Sequence, residues 1–151
     1  MRISKSAQYA LQSMLCLAAF GRLTSAKRLA QELSLPANFL SKVLQQLHRR
    51  DLVDSTPGPN GGFVLVRPAD RTSVLEVFEA IDGIEAGAEC YLGLGACDGI
   101  NVCPVHEECS AGNARLKLTL SNITLNRLLS ENRSSSVVRK MRAIAERRTG
   151  R

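Results

Sequence analysis

The sequence predicts a mainly α-helical chain with one small β-hairpin: a winged helix-turn-helix followed by a long C-terminal dimerisation helix. Apolar residues recur every three or four positions through the first 50 residues. Two short apolar or β-branched runs then flank a turn rich in Gly and Pro, and leucines are concentrated between positions 116 and 129. At 151 residues and 44% hydrophobic, without Trp, the chain suits one domain with an aliphatic core.

Three helices are predicted in the first 50 residues, and their ends carry recognisable caps. They span residues 6–20, 26–33 and 36–50. Gly21 stands where a left-handed cap would end the first helix. Thr24 and Ser25 can cap the second helix, and Pro36 suits the first position of the third. Two short helices joined by a tight turn are typical of a helix-turn-helix.

The third helix has two faces of opposite character. Its apolar stripe predicts burial of Phe39, Leu40, Val43, Leu44 and Leu47. Its other face carries amides and cations, which hydrogen-bond base edges and phosphates. The alternative is an ordinary helical hairpin with a solvated face. The predicted DNA contacts are Ser25, Lys27, Arg28, Asn38, Ser41, Lys42, Gln45, Arg49 and Asn60.

A β-hairpin is predicted directly after these helices. Leu52–Thr56 and Phe63–Val66 read as strands, and Pro57–Gly62 joins them as a turn. Ser73 and Glu76 then have the spacing of a capping box, which predicts a helix over residues 74–81. A helix-turn-helix followed by a hairpin is a winged helix, whose wing commonly lies along the DNA backbone or minor groove.

Four of the five cysteines lie within twenty residues, spaced C-x6-C-x5-C-x5-C. They are Cys90, Cys97, Cys103 and Cys109, and His106 stands three residues after Cys103. Thiolates and an imidazole that converge are soft ligands, suited to zinc, copper(I) or an iron–sulfur cluster. The fifth cysteine, Cys16, is interpreted as a small core residue of the first helix.

Charge divides the chain into basic flanks and an acidic middle. No Lys or Arg occurs between Arg71 and Arg115, where eight acidic residues lie. The other residues hold all 20 basic and only six acidic side chains, so the flanks suit a polyanion. The leucines after residue 111 exceed what one small domain can bury, which predicts a dimer interface.

Four regions follow from these patterns. They are a winged-helix DNA-binding domain (1–83), a cysteine-rich cluster-binding loop (84–110), a dimerisation helix (111–130) and a basic, disordered tail (131–151).

The sequence resembles the IscR/NsrR/RirA family of bacterial winged-helix iron–sulfur transcription regulators. The resemblance covers about residues 1–130 and is carried by MRISKSAQYAL, PGPNGGFVLVRPA, VLEVFEAIDG, the cysteine segment and NITLNRLL. It implies a homodimer that binds a palindromic operator in double-stranded DNA. It also implies a cluster whose state alters DNA affinity.

Carried over by position, the resemblance assigns Cys90, Cys97, Cys103 and His106 as cluster ligands, with Cys109 as an alternate fourth ligand. Three thiolates and an imidazole favour a [2Fe–2S] over a [4Fe–4S] cluster. Three positions depart from the family pattern. Cys109 is an extra cysteine, and together with Cys97 and Cys103-Pro104 it also matches the spacing of the NsrR-like and RirA-like branches, which use [4Fe–4S] clusters. Gln8 stands where some members place an acidic ligand, and Pro57 stands where the wing often begins with Arg. The operator preference therefore does not transfer.

The function expected from the sequence is a cytoplasmic DNA-binding transcriptional regulator, acting as a repressor under control of an iron–sulfur cluster that senses iron, redox state or nitric oxide. A DNA-binding or adaptor protein with a structural zinc site is the alternative, because Cys3His is also a zinc ligand set. An enzyme is not expected, since no C-x-x-C motif and no phosphate-binding loop occurs. Neither a signal peptide nor an apolar run long enough to span a membrane is present.

Overall fold

The computed structural model describes residues 3–83, 90, 92–93, 103–131 and 136–149. Within these residues it confirms the predicted class, mainly α-helical with one two-stranded hairpin. The helices are α1 (Lys5–Phe20), α2 (Ala26–Leu33), α3 (Ala37–Arg49), α4 (Val74–Asp82), α5 (His106–Asn122), α6 (Leu125–Glu131) and α7 (Ser136–Thr149). The strands are β1 (Val53–Thr56) and β2 (Gly62–Leu65), and a single 3-10 turn, Ala69–Arg71, follows them.

Helix α1 forms the centre of the core. It begins at the N-cap Ser4, whose hydroxyl accepts from the Ala7 N–H, and ends at Gly21, which adopts the predicted left-handed conformation (φ 56°). Nine of its sixteen residues are buried, and α2, α3, α4, α6 and α7 all contact it. A helix that is apolar around most of its circumference must be covered on several sides.

The hairpin is antiparallel and is joined to the helix-turn-helix by a further pair of hydrogen bonds. Val53 pairs with Leu65, and Ser55 pairs with Phe63. Thr24 exchanges two backbone hydrogen bonds of 2.9 Å with Phe63 on the other edge of β2. The residue just before the cap of α2 therefore extends the sheet, and the wing is anchored to α2.

Helix α4 begins with the predicted capping box. The Ser73 hydroxyl accepts from the Glu76 N–H, and the Glu76 carboxylate accepts from the Ser73 N–H at 2.7 Å. Arg67 also donates to Glu76 at 2.7 Å. Partial burial raises the pKa of Glu76, but the Ser73 hydrogen bond and the Arg67 guanidinium outweigh burial and leave the pKa below its usual value. The carboxylate is therefore charged, as the cap requires.

The predicted start of the helix in the dimerisation region, about Ala111, is wrong, whereas its predicted end at Asn122 is confirmed. Helix α5 starts at His106, inside the segment that the sequence assigned to the cysteine loop, and it ends at Asn122. An isolated β-bridge follows the end of α5 and separates it from α6. The Val74 N–H donates to the Ile123 carbonyl at 2.9 Å, and the Leu125 N–H donates to the Thr72 carbonyl at 3.0 Å. The C-terminal end of α5 is thus fastened to the start of α4.

The prediction of a disordered tail is wrong for residues 136–149, which form α7. Val138 and Met141 are buried, and Ile144 packs against the core. These three positions are three residues apart and lie on one face of a helix, which explains the packing against α1. Lys140 also donates to the Glu32 carbonyl at the end of α2 and approaches the Glu32 carboxylate at 3.5 Å.

In the described part of the chain, no helix combines the length and the apolar character that a membrane crossing requires.

Candidate nucleic-acid interface and cysteine site

The turn between α2 and α3 is tight and well defined. Ser34 adopts a left-handed conformation (φ 56°), and the Leu35 N–H donates to the Ala30 carbonyl at 2.9 Å. Leu29 and Leu40 are completely buried on either side of this turn. Local backbone bonds and apolar burial therefore fix the angle between the two helices, as a helix-turn-helix requires.

Helix α3 presents its predicted contact residues on one side. Leu40, Val43, Leu44 and Leu47 are buried, whereas Phe39 is only half-buried and packs at the edge of the core. Spacings of three and four residues place the polar candidates together on the opposite face. Asn38, Lys42, Gln45 and Arg49 are exposed there, and Ser41 is half-buried. This face offers amide, hydroxyl and cationic groups to a base edge or a phosphate.

The start of α2 carries a second group of the predicted contact residues. The Ser25 hydroxyl caps the helix by accepting from the Arg28 N–H at 3.3 Å. Lys27 is exposed, and the Arg28 guanidinium lies 4.9 Å from the centroid of the Phe20 ring. That cation–π contact restricts the Arg28 side chain, so less conformational freedom is lost when a phosphate binds. Helix N-termini also favour anions.

The wing turn places Asn60 at an exposed tip. Gly58 has a φ of 104°, which favours glycine. Gly62 lies close to Thr24: a Cβ added there would lie 2.4 Å from the Thr24 carbonyl oxygen and 2.8 Å from the Ser25 nitrogen. Glycine at this position is therefore required by the close approach of β2 to the start of α2.

Two residues at this interface were not found from the sequence. Thr24 was considered only as a cap, but it pairs with Phe63. His48 joins α3 to β1: its two ring nitrogens lie within hydrogen-bond distance of the Val53 carbonyl oxygen and the Ser55 hydroxyl. Neither contact follows a sequence spacing, because each depends on how the hairpin folds back onto the helices.

The described part of the cysteine segment ends in a helical turn. The His106 N–H donates to the Cys103 carbonyl at 3.0 Å, and the Cys109 N–H donates to the Val105 carbonyl at 3.0 Å. Cys103, His106 and Cys109 are half-buried and successively three residues apart, which puts them on one side of this first turn. Cys90 is also among the described residues and is half-buried, whereas the predicted ligand Cys97 lies outside them.

The side chains of this first turn are suitable ligands for an iron–sulfur cluster or for zinc. Cys103 and Cys109 supply sulfur, and His106 supplies imidazole nitrogen, which are the donors that iron–sulfur clusters and zinc accept. Among the described residues alone, no three His, Cys, Asp or Glu side chains form a group that could hold a metal. The predicted ligand set also includes Cys97, which is not one of the described residues, so this search does not test that set.

Cys16 is confirmed as a core residue. It is fully buried in α1, and burial raises the pKa of its thiol to about 12, with the Glu32 carboxylate acting in the same direction. The thiol is therefore protonated near neutral pH and is a poor metal ligand.

A family model matches residues 3–131, and its description is "Rrf2: Iron-dependent Transcriptional regulator". The chain belongs to the Rrf2 family. The family resemblance in the sequence is thereby confirmed, and the chain is a DNA-binding transcriptional regulator and not an enzyme. The match ends at residue 131, so α7 of this Rrf2 chain lies beyond it.

Individual relatives agree with this assignment. The chain is 34% identical over 122 residues to protein aau3 of Rhizobium meliloti, covering 80% of this chain and 75% of the relative. It is 29% identical over 131 residues to the HTH-type transcriptional regulator IscR of Klebsiella pneumoniae, covering 85% and 80%.

Solved structures have the same fold. CymR, the global cysteine regulator of B. subtilis, matches with a TM-score of 0.70 at 25% identity, covering 85% of this chain and 95% of that one. IscR of T. potens matches with a TM-score of 0.69 at 20% identity, covering 90% and 91%.

Replacing Gly62 with Ala should damage the wing and DNA binding together. The new methyl group would meet backbone atoms of Thr24 and Ser25, which cannot move without separating Thr24 from Phe63. We expect a loss of about 2 kcal/mol in the free energy of unfolding, measured by chemical denaturation, and weaker binding to duplex DNA.

Gly112→Ala is the matched control, because nothing lies within 4 Å of a Cβ at this position in α5. This variant should be as stable as the wild type or gain up to about 1 kcal/mol from helix propensity. Equal stability of the two variants would contradict the described packing of β2 against Thr24.

Proposed function

We propose that this Rrf2 protein is a repressor whose affinity for a palindromic operator is controlled by an iron–sulfur cluster held in the cysteine segment. The observation that carries the proposal is the position of Cys103 and His106. They stand at the very start of α5, whose other end is fastened to α4. The same chain carries an exposed polar face on α3.

The proposed ligands are Cys90, Cys97, Cys103 and His106, with Cys109 as the alternate fourth ligand. A [2Fe–2S] cluster suits three thiolates and one neutral imidazole better than a [4Fe–4S] cluster. When bound, it supplies a centre that reacts with oxidants and nitric oxide and that depends on iron supply. The cysteine thiols must lose their protons to bind, so cluster loading also changes the charge of this acidic segment.

Described contacts at both ends of the cysteine segment support a route to the DNA-binding domain. Before the segment, the Asp82 carboxylate at the end of α4 accepts from the Ser4 N–H at 2.9 Å and from the Ser4 hydroxyl at 2.5 Å. Ser4 is the N-cap of α1, which contacts α2 and α3. After the segment comes α5. If cluster binding changed the distance between the two ends of the cysteine segment, the change would therefore act on α1 and α5 together.

We propose that the exposed side of α3 contacts the bases, and that the end of α3, the start of α2 and the wing tip contact the phosphates. Asn38, Ser41, Lys42 and Gln45 share the exposed side of α3 and would reach base edges in the major groove. Ser25, Lys27, Arg28, Arg49 and Asn60 would contact the backbone. Cationic contacts of this kind make the affinity fall steeply with salt.

A homodimer is proposed because α5 leaves a large apolar side chain uncovered. No described residue of α5 is buried, although the helix is 17 residues long. Leu118 is 65% exposed and lies on the side of α5 opposite to Leu120, which packs against the core. Two copies packed through α5 would cover Leu118 and would present two α3 helices to two half-sites about 34–36 Å apart.

Leu118→Lys should weaken the dimer about tenfold or more, because pairing of α5 helices would bury two added charges. The exposed position means that the substitution should leave the folded monomer intact. Sedimentation equilibrium measures the effect. Gln31→Lys adds the same charge at an exposed position of α2 and should leave the mass distribution unchanged. Identical dimer populations in both variants would reject α5 as the interface.

A cysteine-responsive regulator is a second candidate. The B. subtilis protein CymR, with the same fold at 25% identity, is a global cysteine regulator. The cysteine-rich segment of this chain could then act through thiol chemistry rather than through a metal. A structural zinc site is the third reading of the same donor set.

Cys97→Ala tests the proposed control. We expect the wild-type protein to bind a selected operator duplex with affinities that differ about tenfold between its iron-reconstituted and chelator-stripped forms. The variant should show one affinity under both conditions, with an unchanged circular dichroism melting curve. Fluorescence anisotropy under anaerobic conditions measures the binding.

Cys109→Ala is the control for loss of a thiol in the same segment, and it should keep both affinities if His106 is the fourth ligand. Loss of the two-affinity behaviour in this variant would reassign the fourth ligand to Cys109. Equal wild-type affinity in both conditions would reject cluster control altogether.

A further inference from the structure

His48, in the last turn of α3, connects the recognition helix directly to the wing. Its Nδ1 atom lies 3.0 Å from the Val53 carbonyl oxygen, and its Nε2 atom lies 3.4 Å from the Ser55 hydroxyl oxygen. Both partners belong to β1, two residues apart. One imidazole ring therefore spans from α3 to two points along the first strand of the wing.

The hydrogen bonds assign the tautomer of this ring. A carbonyl oxygen only accepts, so Nδ1 carries the hydrogen and donates it to Val53. In the neutral ring Nε2 is then an acceptor for the Ser55 hydroxyl. The ring therefore contacts β1 through both of its nitrogens, which suits a positioning role.

The bond to Ser55 acts on the edge of the hairpin opposite to Thr24. Leu52 and Val53 are buried, so the start of β1 is already fixed on the core. Asp54 and Thr56 are exposed, whereas Ser55 between them is half-buried and contacts His48 of α3. A contact at Ser55 therefore restrains the direction of the hairpin rather than its attachment.

His48 also closes a ring of contacts around the DNA-facing side. Ser55 pairs with Phe63 in β2, and Phe63 pairs with Thr24 just before the cap of α2. Helix α2 leads through its tight turn into α3, which ends at His48. The wing is therefore fastened to α2 on one edge and to α3 on the other.

We propose that His48 is a positioning residue for DNA recognition: it fixes the angle of the wing against α3, so that Asn60 at the tip and the polar side of α3 engage one duplex together. The proposal rests on the DNA-binding function of the family and is independent of the iron–sulfur proposal. A wing free to swing would lose affinity through the ordering of a loose element on binding.

Three substitutions separate the two bonds of the ring. In His48→Asn, the amide nitrogen takes the position of Nδ1 and can still donate to Val53. In His48→Gln, the amide reaches the position of Nε2 and can still contact Ser55. His48→Ala removes both bonds. Gln31→Ala, at an exposed position of α2, is the control for loss of a polar side chain.

The test is hydroxyl-radical footprinting and affinity measurement on a duplex selected from a random library by the wild-type protein. His48→Ala should bind about tenfold more weakly. Its protection at the flanking positions covered by the wing should be lost, while protection at the α3 positions remains. His48→Gln should restore most of the flanking protection, because it keeps the contact with Ser55. His48→Asn keeps only the bond to Val53 and should restore little of it. Gln31→Ala should match the wild type.

Wild-type affinity and a complete footprint for His48→Ala would overturn the proposal. So would a uniform loss of protection together with a markedly lower unfolding temperature, since that result indicates a purely structural residue. In every case, DNA binding by the wild-type protein provides the independent check on the family function.

Discussion

Burial of α1 determines how the other elements of the fold pack. Its buried residues, among them Ala10, Met14 and Leu17, lie around most of the helix, so neighbours must cover it on several sides. Helices α2, α3, α4, α6 and α7 and strand β2 all contact it. The recognition helix, the wing and the flank before the cysteine segment thereby share one support, and α5 after the segment is joined to it through α4. A regulator needs such a support, because a local change can act at a distance only through packed elements.

On the proposed DNA-facing side, the side chains are exposed while the backbone that carries them is held in place. The polar side of α3 is exposed, but each element next to it is held by specific bonds: the turn by Leu35, the wing by Thr24, and the end of the helix by His48. These bonds are local to the interface and cost no buried charge. Recognition groups are therefore free to meet DNA while the backbone that carries them is fixed.

The parts of the fold that were predictable from the sequence have local signals. Gly21, Ser25 and the Ser73–Glu76 capping box each mark a helix end through a hydrogen bond within a few residues. The start of α5 was missed because residues 84–110, with their four cysteines, were interpreted as one loop. Helix α7 was missed because its apolar stripe is short and surrounded by cations, although tertiary packing on α1 stabilises it.

Contacts between distant segments were beyond sequence reasoning. The pairing of Thr24 with Phe63 and the contact of His48 with Ser55 depend on a hairpin that folds back onto the helices. For the cysteine site, residue types and spacing predicted the donors but not the metal, because thiolates and imidazole serve zinc and iron–sulfur clusters alike. Cys97 lies outside the described residues, so the ligand set is still a prediction.

Anaerobic purification, followed by a visible absorption spectrum with iron and sulfide analysis, shows whether the protein holds an iron–sulfur cluster. We expect a brown protein with about two iron and two sulfide per chain, as a [2Fe–2S] cluster requires. Four of each would keep a cluster but contradict the ligand set proposed here. A colourless protein with stoichiometric zinc, or one without metal, would contradict cluster control and leave a Rrf2 regulator that senses by other means.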